Sequence, residues 1–144
     1  MTRSILIVDD NHSLANLYHI VFERNDWLVE RVSSGQEALD RLARKSRDVV
    51  GAPDVVGTPV VVGTPDVVLL DLMMPDVDGI EVCRRIREQY PQAPPCIAVY
   101  TAINRPEARE DSLAAGADLF FSKNLSVFEL PEKIAAHLQP PIAP

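Results

Sequence analysis

The sequence predicts an α/β protein in which a five-stranded parallel sheet is covered on both faces by helices. Two observations carry this reading. Short, continuous apolar runs, each ending in aspartate, occur twice, as Ile5-Leu6-Ile7-Val8 before Asp9-Asp10 and as Val67-Val68-Leu69-Leu70 before Asp71. Such runs are the mark of strands buried on both faces. Segments of helical period follow each strand candidate, so a β-α unit recurs along the chain and implies a parallel sheet with right-handed crossovers.

The first strand is followed by Leu14, Leu17, Tyr18, Val21 and Phe22, apolar at helical spacing through Asn25. Leu28 to Val32 is the second strand. Ser34-Gly35-Gln36-Glu37 has capping-box spacing and opens a helix through Ala38, Leu39 and Leu42 to about Lys45. Val67 to Leu70 is the third strand, and Gly79 to Gln89 is helical until Tyr90-Pro91 and Pro94-Pro95 stop it. Cys96 to Thr101 is the fourth strand, Glu107 to Ala115 a helix, and Ala117 to Phe121 the fifth strand. Ser126-Val127-Phe128-Glu129 repeats the capping-box spacing and opens a last helix to Leu138, in which Pro131 is tolerable only within the first turn or so. Residues 1–139 are thus expected to form one domain, with a proline-rich tail at 140–144.

Residues 51–68 form three GxPxVV-like hexads, with Arg47-Asp48-Val49-Val50 as a partial fourth copy. Only the last copy runs straight into Leu69-Leu70-Asp71, so the downstream aspartate fixes which copy is the third strand. A hexapeptide β-helix is the less favoured reading, because 18 residues make roughly one coil and stacked solenoids need at least about three such units to bury a core. The array reads as a duplication that lengthens one loop. Its prolines remove ladder donors and its glycines weaken pairing, so extended, loosely ordered chain is expected there.

The net charge is −7, and no Lys/Arg cluster suggests a nucleic-acid face. An acidic balance also repels anionic lipid. No segment approaches the ~18 apolar residues of a membrane span, and the first apolar run is too short for a signal peptide. A cytoplasmic protein is expected. Cys83 and Cys96 are too isolated for a disulfide framework or zinc site and read as core residues.

Ligands in such sheets bind outside the C-terminal ends of the strands. That rule brings Asp9, Asp10, Asp71, Thr101 and Lys123 to one end of the molecule. Converging carboxylates are costly without a cation. Hard oxygen donors with no His or Cys beside them favour Mg²⁺, commonly shared with a phosphate. Lys123 offers a point charge to a phosphoryl oxygen, and Thr101 a hydroxyl to another. Asp71, at the centre, suits a nucleophile that forms an aspartyl-phosphate.

The chain resembles bacterial response-regulator receiver domains over about residues 4–138. The resemblance rests on Ile5–Asp10, on Val67–Gly79 with its Asp71-Leu72-Met73-Met74-Pro75 core, on Val99-Tyr100-Thr101-Ala102 and on Ala114–Lys123. It implies the flavodoxin-like (βα)5 fold with strand order 2-1-3-4-5. It implies Asp71 as phosphoacceptor, and Mg²⁺ held by Asp9, Asp10, Asp71 and the main-chain carbonyl of Met73. Thr101 and Lys123 would bind the phosphoryl group, and Thr101 would move toward it on activation. Phe120 occupies the aromatic switch position, although a plain core aromatic fits it equally. The expected partners are a sensor histidine kinase or histidine phosphotransferase, and an output protein docking on the face of helix four, strand five and helix five. Through that face the chain would be a monomer or weak dimer.

Three features depart from the pattern. Asn124 follows Lys123 where the family usually has a cis proline, the hexads are extra, and Met73 and Ile103 stand where many relatives are polar. The chain ends soon after the last helix, which suggests a stand-alone receiver. Two other readings compete. A small-molecule aspartyl-phosphate phosphohydrolase would commonly carry a second Asp at position 73, where Met73 stands. A degenerate receiver acting only as an interaction module would not need the complete set of three aspartates, threonine and lysine.

Overall fold

A computed structural model describes residues 3–44 and 63–138. In chain order the elements are β1 (Ser4–Val8), α1 (His12–Arg24), β2 (Leu28–Val32), α2 (Gly35–Ala43), β3 (Val67–Leu70), α3 (Gly79–Gln89), β4 (Cys96–Thr101), α4 (Pro106–Ala114), β5 (Leu119–Ser122), a 3-10 turn (Val127–Glu129) and α5 (Leu130–Leu138). The five strands form one sheet in the order β2-β1-β3-β4-β5, and every pairing is parallel. This is the order the resemblance implied.

β1, β3 and β4 are the central strands, and their alternating side chains enter two separate cores. Ile5, Ile7, Val67, Leu69, Cys96, Ala98 and Tyr100 face one side, where α1 and α5 cover them with Tyr18, Phe22, Leu130 and Ile134. Leu6, Val8, Val68, Leu70, Ile97 and Val99 face the other, under Ala38 and Leu42 of α2, Val82, Cys83 and Ile86 of α3, and Ala108 of α4. A strand buried on both faces must be apolar at every position, which is why these runs show no alternation. Both cysteines are buried and free.

The caps differ in detail from the capping-box pattern. The Ser34 hydroxyl accepts the amide of Glu37, as expected for α2, but the Glu37 carboxylate turns to the amide and hydroxyl of Ser33 rather than to Ser34. Ser126 opens a 3-10 turn and not α5 itself. α5 begins at Leu130, which places Pro131 in its first turn, where a missing amide is harmless.

β5 starts at Leu119, two residues later than predicted. Ala117 spends its amide on the carbonyl of Ser112 at the end of α4, at 3.0 Å. The Asp118 amide donates to the Ile97 carbonyl at 2.8 Å, but the Ile97 amide goes to the Asp118 carboxylate, also at 2.8 Å, rather than to a backbone carbonyl, and that carboxylate pairs with Arg87, so the two-sided backbone pairing starts only at Leu119.

Of the hexad array, residues 51–62 lie outside the described residues, and with them the expectation of loosely ordered chain there. The third hexad is built into the fold. Val67 and Val68 are strand residues, and the Gly63 carbonyl accepts from the Arg41 guanidinium at 2.9 Å. The Asp66 carboxylate accepts the Ser4 amide at 2.8 Å.

Candidate functional site

The backbone ladder of the sheet carries Asp9, Asp71 and Lys123 each one step past its strand. The Asp71 amide donates to the Val8 carbonyl at 3.1 Å, the Asp9 amide to Val32 at 3.3 Å, and the Lys123 amide to Thr101 at 2.8 Å. Asp9 and Asp71 therefore sit side by side at the C-terminal edge, and Lys123 returns to them from the far end of β5. Its ammonium nitrogen lies 2.9 Å from Oδ2 of Asp71 and 3.2 Å from Oδ2 of Asp9.

Burial makes this cluster electrostatically strong. Asp9 is 3% exposed and Asp71 8%. Removal from water raises the pKa of Asp9, partly offset by the Asn11 amide and by Lys123, while the charge of Asp71 pushes it further up. Burial works to lower the pKa of Lys123, but its hydrogen bond to Asp71 and the charges of Asp71 and Asp9 outweigh that and hold it above the ordinary lysine value. The remaining carboxylate oxygens are oriented by backbone. Oδ1 of Asp71 accepts the Met73 amide at 3.0 Å, and Oδ1 of Asp9 accepts the Asn11 amide at 2.9 Å.

Gly79 allows this arrangement at the start of α3. A Cβ there would meet the Leu72 Cα at 2.5 Å and the Asp71 carbonyl at 3.0 Å, so a side chain would displace the backbone that carries Asp71.

Thr101 is fully buried, and its hydroxyl oxygen accepts the Ile103 amide at 3.3 Å. In that role its proton remains for another oxygen. Phe120 is half-buried against the α2/α3/α4-side core and lines a surface cavity of about 270 Å³ with Ile103, Arg105 and Arg109. The structure thus gathers Asp9, Asp71 and Lys123 tightly. Asp10 is exposed, and among the described residues no three Asp, Glu, His or Cys side chains stand together as a metal-binding group. Met73, two residues after Asp71, is 57% exposed, while Ile103 packs against the core. The Lys123–Asn124 peptide is trans; the cis bonds among the described residues are Ala93–Pro94 and Pro94–Pro95.

Sequence reasoning missed two aromatic residues. Tyr18 from α1 and Tyr100 from β4 pack edge to face with ring centroids 5.5 Å apart, and the Lys123 ammonium stands 5.8 Å and 5.9 Å from their centroids. A third oversight is Asp76, whose carboxylate leaves the loop after β3 to accept the amides of Gly35 and Gln36 at 3.2 and 3.0 Å. Sequence signals for these were weak. Tyr18 reads as one more apolar helix position, and Asp76 lies 40 residues from its partner Gln36.

Known proteins share this architecture and sequence. The family model for the response regulator receiver domain matches residues 59–135, more than half of the chain. The transcriptional regulatory protein TrcR of Mycobacterium tuberculosis is 34% identical over 143 residues, covering 95% of this chain and 48% of that protein. The alkaline phosphatase synthesis transcriptional regulatory protein PhoP of Bacillus subtilis is 31% identical over 139 residues, covering 96% of this chain and 50% of that protein. The chain therefore spans about half the length of these curated relatives. Among solved structures, the BeF3-activated N-terminal receiver domain of Klebsiella pneumoniae RstA superposes with a TM-score of 0.76 at 25% identity, covering 96% of this chain and 100% of that one. A CheY-like receiver domain protein from Methanospirillum hungatei has the same fold, with a TM-score of 0.76 at 23% identity over 96% of this chain and 94% of that one. With five parallel strands in the order 2-1-3-4-5 and acidic residues at the ends of β1 and β3, the chain belongs to the response-regulator receiver domains of two-component signalling.

Proposed function

We propose that Asp71 is the phosphoacceptor of this receiver, that Mg²⁺ assists the transfer, and that the donor is a sensor histidine kinase or a histidine phosphotransferase. The observation that carries the reading is the contact of Lys123 with Asp71 at 2.9 Å, made between residues 52 apart in the chain and partly buried. A buried carboxylate beside a fixed ammonium suits a reaction in which three phosphoryl oxygens arrive and must be neutralised.

In the transfer, a carboxylate oxygen of Asp71 attacks the phosphorus of a phosphohistidine. The new P–O bond forms as the P–N bond breaks, and the electron pair returns to the imidazole nitrogen, which then takes a proton. Lys123 holds one phosphoryl oxygen and Thr101 donates its hydroxyl proton to another. The donor set fits a hard cation, since Asp9 and Asp71 present carboxylates at one edge with no His or Cys ligand between them. Asp10 and the Met73 main-chain carbonyl would complete the set. Bound there, Mg²⁺ would supply neutralisation of the developing phosphoryl charge.

The output would be a change in the face made by α4, β5 and α5, with Thr101 and Phe120 as the moving parts and a further protein as reader. This face could also support a weak dimer. The setting we propose is the cytoplasm, since no described helix is long and apolar enough to cross a membrane and both thiols are free. Incubation with acetyl phosphate tests the reading. Labelling should require Mg²⁺ and be abolished in Asp71→Asn; acid-stable label on that variant would exclude the assignment.

A further inference from the structure

The Lys123 ammonium must serve two states. At rest it bridges two carboxylates. During transfer those carboxylates are needed elsewhere, Asp71 by phosphorus and Asp9 by the metal ion, so the carboxylates alone cannot hold the lysine in place. Two further contacts act on it. The ammonium stands 5.8 Å from the ring centroid of Tyr18 and 5.9 Å from that of Tyr100, within reach of the negative ring faces. Both tyrosines are nearly buried, at 4% and 5% exposure, so the rings are fixed and the attraction is little screened.

Tyr100 does a second thing. Its hydroxyl donates to the Leu125 carbonyl at 2.6 Å, two residues beyond Lys123. Asn124 lacks the fixed φ that a proline would give this turn. The turn is instead held by side chains and backbone. The Asn124 amide donates to the Ser122 hydroxyl at 3.1 Å, the Leu125 amide to the Ser122 carbonyl at 2.9 Å, and Tyr100 closes it from the sheet.

We propose that Tyr18 and Tyr100 are positioning residues for phosphoryl transfer: their rings hold the Lys123 ammonium while its carboxylate partners are engaged, and the Tyr100 hydroxyl fixes the turn that carries it. This rests on Lys123 acting in the transfer as described above. A phenylalanine at position 18 keeps the ring face but loses the hydroxyl, which also interacts with the Lys123 ammonium, so Tyr18→Phe should react more slowly than the parent and faster than Tyr18→Leu. Tyr18→Leu keeps bulk and loses the face. Tyr100→Phe keeps the face and loses only the tether.

The test is the rate of phosphorylation by acetyl phosphate at saturating Mg²⁺, on variants first shown to melt cooperatively. Tyr18→Leu should be slower by about three- to tenfold, the range of a partly desolvated cation–π contact, and Tyr18→Phe should fall between it and the parent. Tyr100→Phe should be slowed, and Tyr100→Leu slowed more. In a Lys123→Gln background, Tyr18→Leu should have no further effect, since the ring then has no cation to hold. Equal slowing in both backgrounds would mean that Tyr18 is only packing, and would overturn the proposal. So would a parent rate in Tyr18→Leu. If a leucine or glutamine variant does not fold, pentafluorophenylalanine at position 18 replaces it, because it keeps the shape and reverses the ring's electrostatics. It should be slower than Tyr18→Phe, and equal rates would contradict the proposal. A parent rate in Lys123→Gln itself would instead refute the role of the lysine on which the proposal rests.

Discussion

Asp66 is bonded to Ser4 across 62 residues of sequence. Its carboxylate accepts the Ser4 amide at 2.8 Å, its amide donates to the Ser4 hydroxyl at 3.0 Å, and its carbonyl accepts the Cys96 amide at 2.8 Å. The last hexad thus fastens the N-terminal ends of β1, β3 and β4 together, at the opposite edge of the sheet from Asp71.

This contact sets the limits within which the array can be shortened. Removing residues 51–62 keeps Gly63, Thr64, Pro65 and Asp66 and is expected to leave stability within about 1 kcal/mol of the parent, because loop length enters only logarithmically. Removing residues 51–68 joins Val50 to Leu69 and brings Asp48-Val49-Val50 into the places of Asp66-Val67-Val68. That variant should also fold and accept phosphate within a few-fold of the parent rate. It loses the Gly63 acceptor of Arg41, at a cost of about 1 kcal/mol. Denaturant melts check both, and Asp48→Ala should become destabilising only in the longer deletion. If that deletion unfolds, Asp48 does not replace Asp66.

Asp76 gives a second expectation. Accepting the amides of Gln36 and Gly35 at the N-terminus of α2 depresses its pKa. A carboxylate with a lowered folded pKa contributes stability above its unfolded value, near 3.8, and loses it as pH falls through the folded value. Asp76→Asn should therefore melt about 1–4 °C below the parent at pH 7. The gap should close as pH drops below about 4. A gap independent of pH would assign the effect to packing.

Asp9 behaves in the opposite sense. Burial raises its pKa, so folding favours the protonated form, and the ionised form opposes folding at neutral pH. Without metal, Asp9→Asn is expected to raise the melting temperature at pH 7 by about 2–4 °C, and the gain should vanish below about pH 4. Added Mg²⁺ should stabilise the parent more than the variant, by mass action on the folded state. A variant less stable than the parent without metal would mean that the pairing with Lys123 outweighs desolvation.

How far the sequence reveals the molecule depends on where each signal resides. β1, β3 and β4 were legible because strands buried on both faces must be uniformly apolar. The meeting of Asp9, Asp71 and Lys123 was legible because strand ends in a parallel sheet share one edge. The start of β5 was not, since the Asp118 amide still reaches the Ile97 carbonyl while the Ile97 amide goes to the Asp118 carboxylate rather than to a backbone carbonyl. The exposed placement of Asp10 was also hidden, because whether a side chain turns inward is decided by its tertiary surroundings. Tyr18 and Tyr100 have the same cause: each reads as a core residue in its own element, and only the packing of α1 against β4 sets them beside Lys123.

The identity of the phosphorylated residue can be read chemically. After reaction with acetyl phosphate and Mg²⁺, borohydride reduces an acyl phosphate to the alcohol, so a phosphorylated aspartate becomes homoserine and can be located by peptide mass spectrometry. Homoserine at position 71 alone, absent when Mg²⁺ is chelated, is the expected outcome. Homoserine at position 9 or 10, or a labelled protein with no homoserine at all, would contradict the assignment of Asp71 as the phosphoacceptor.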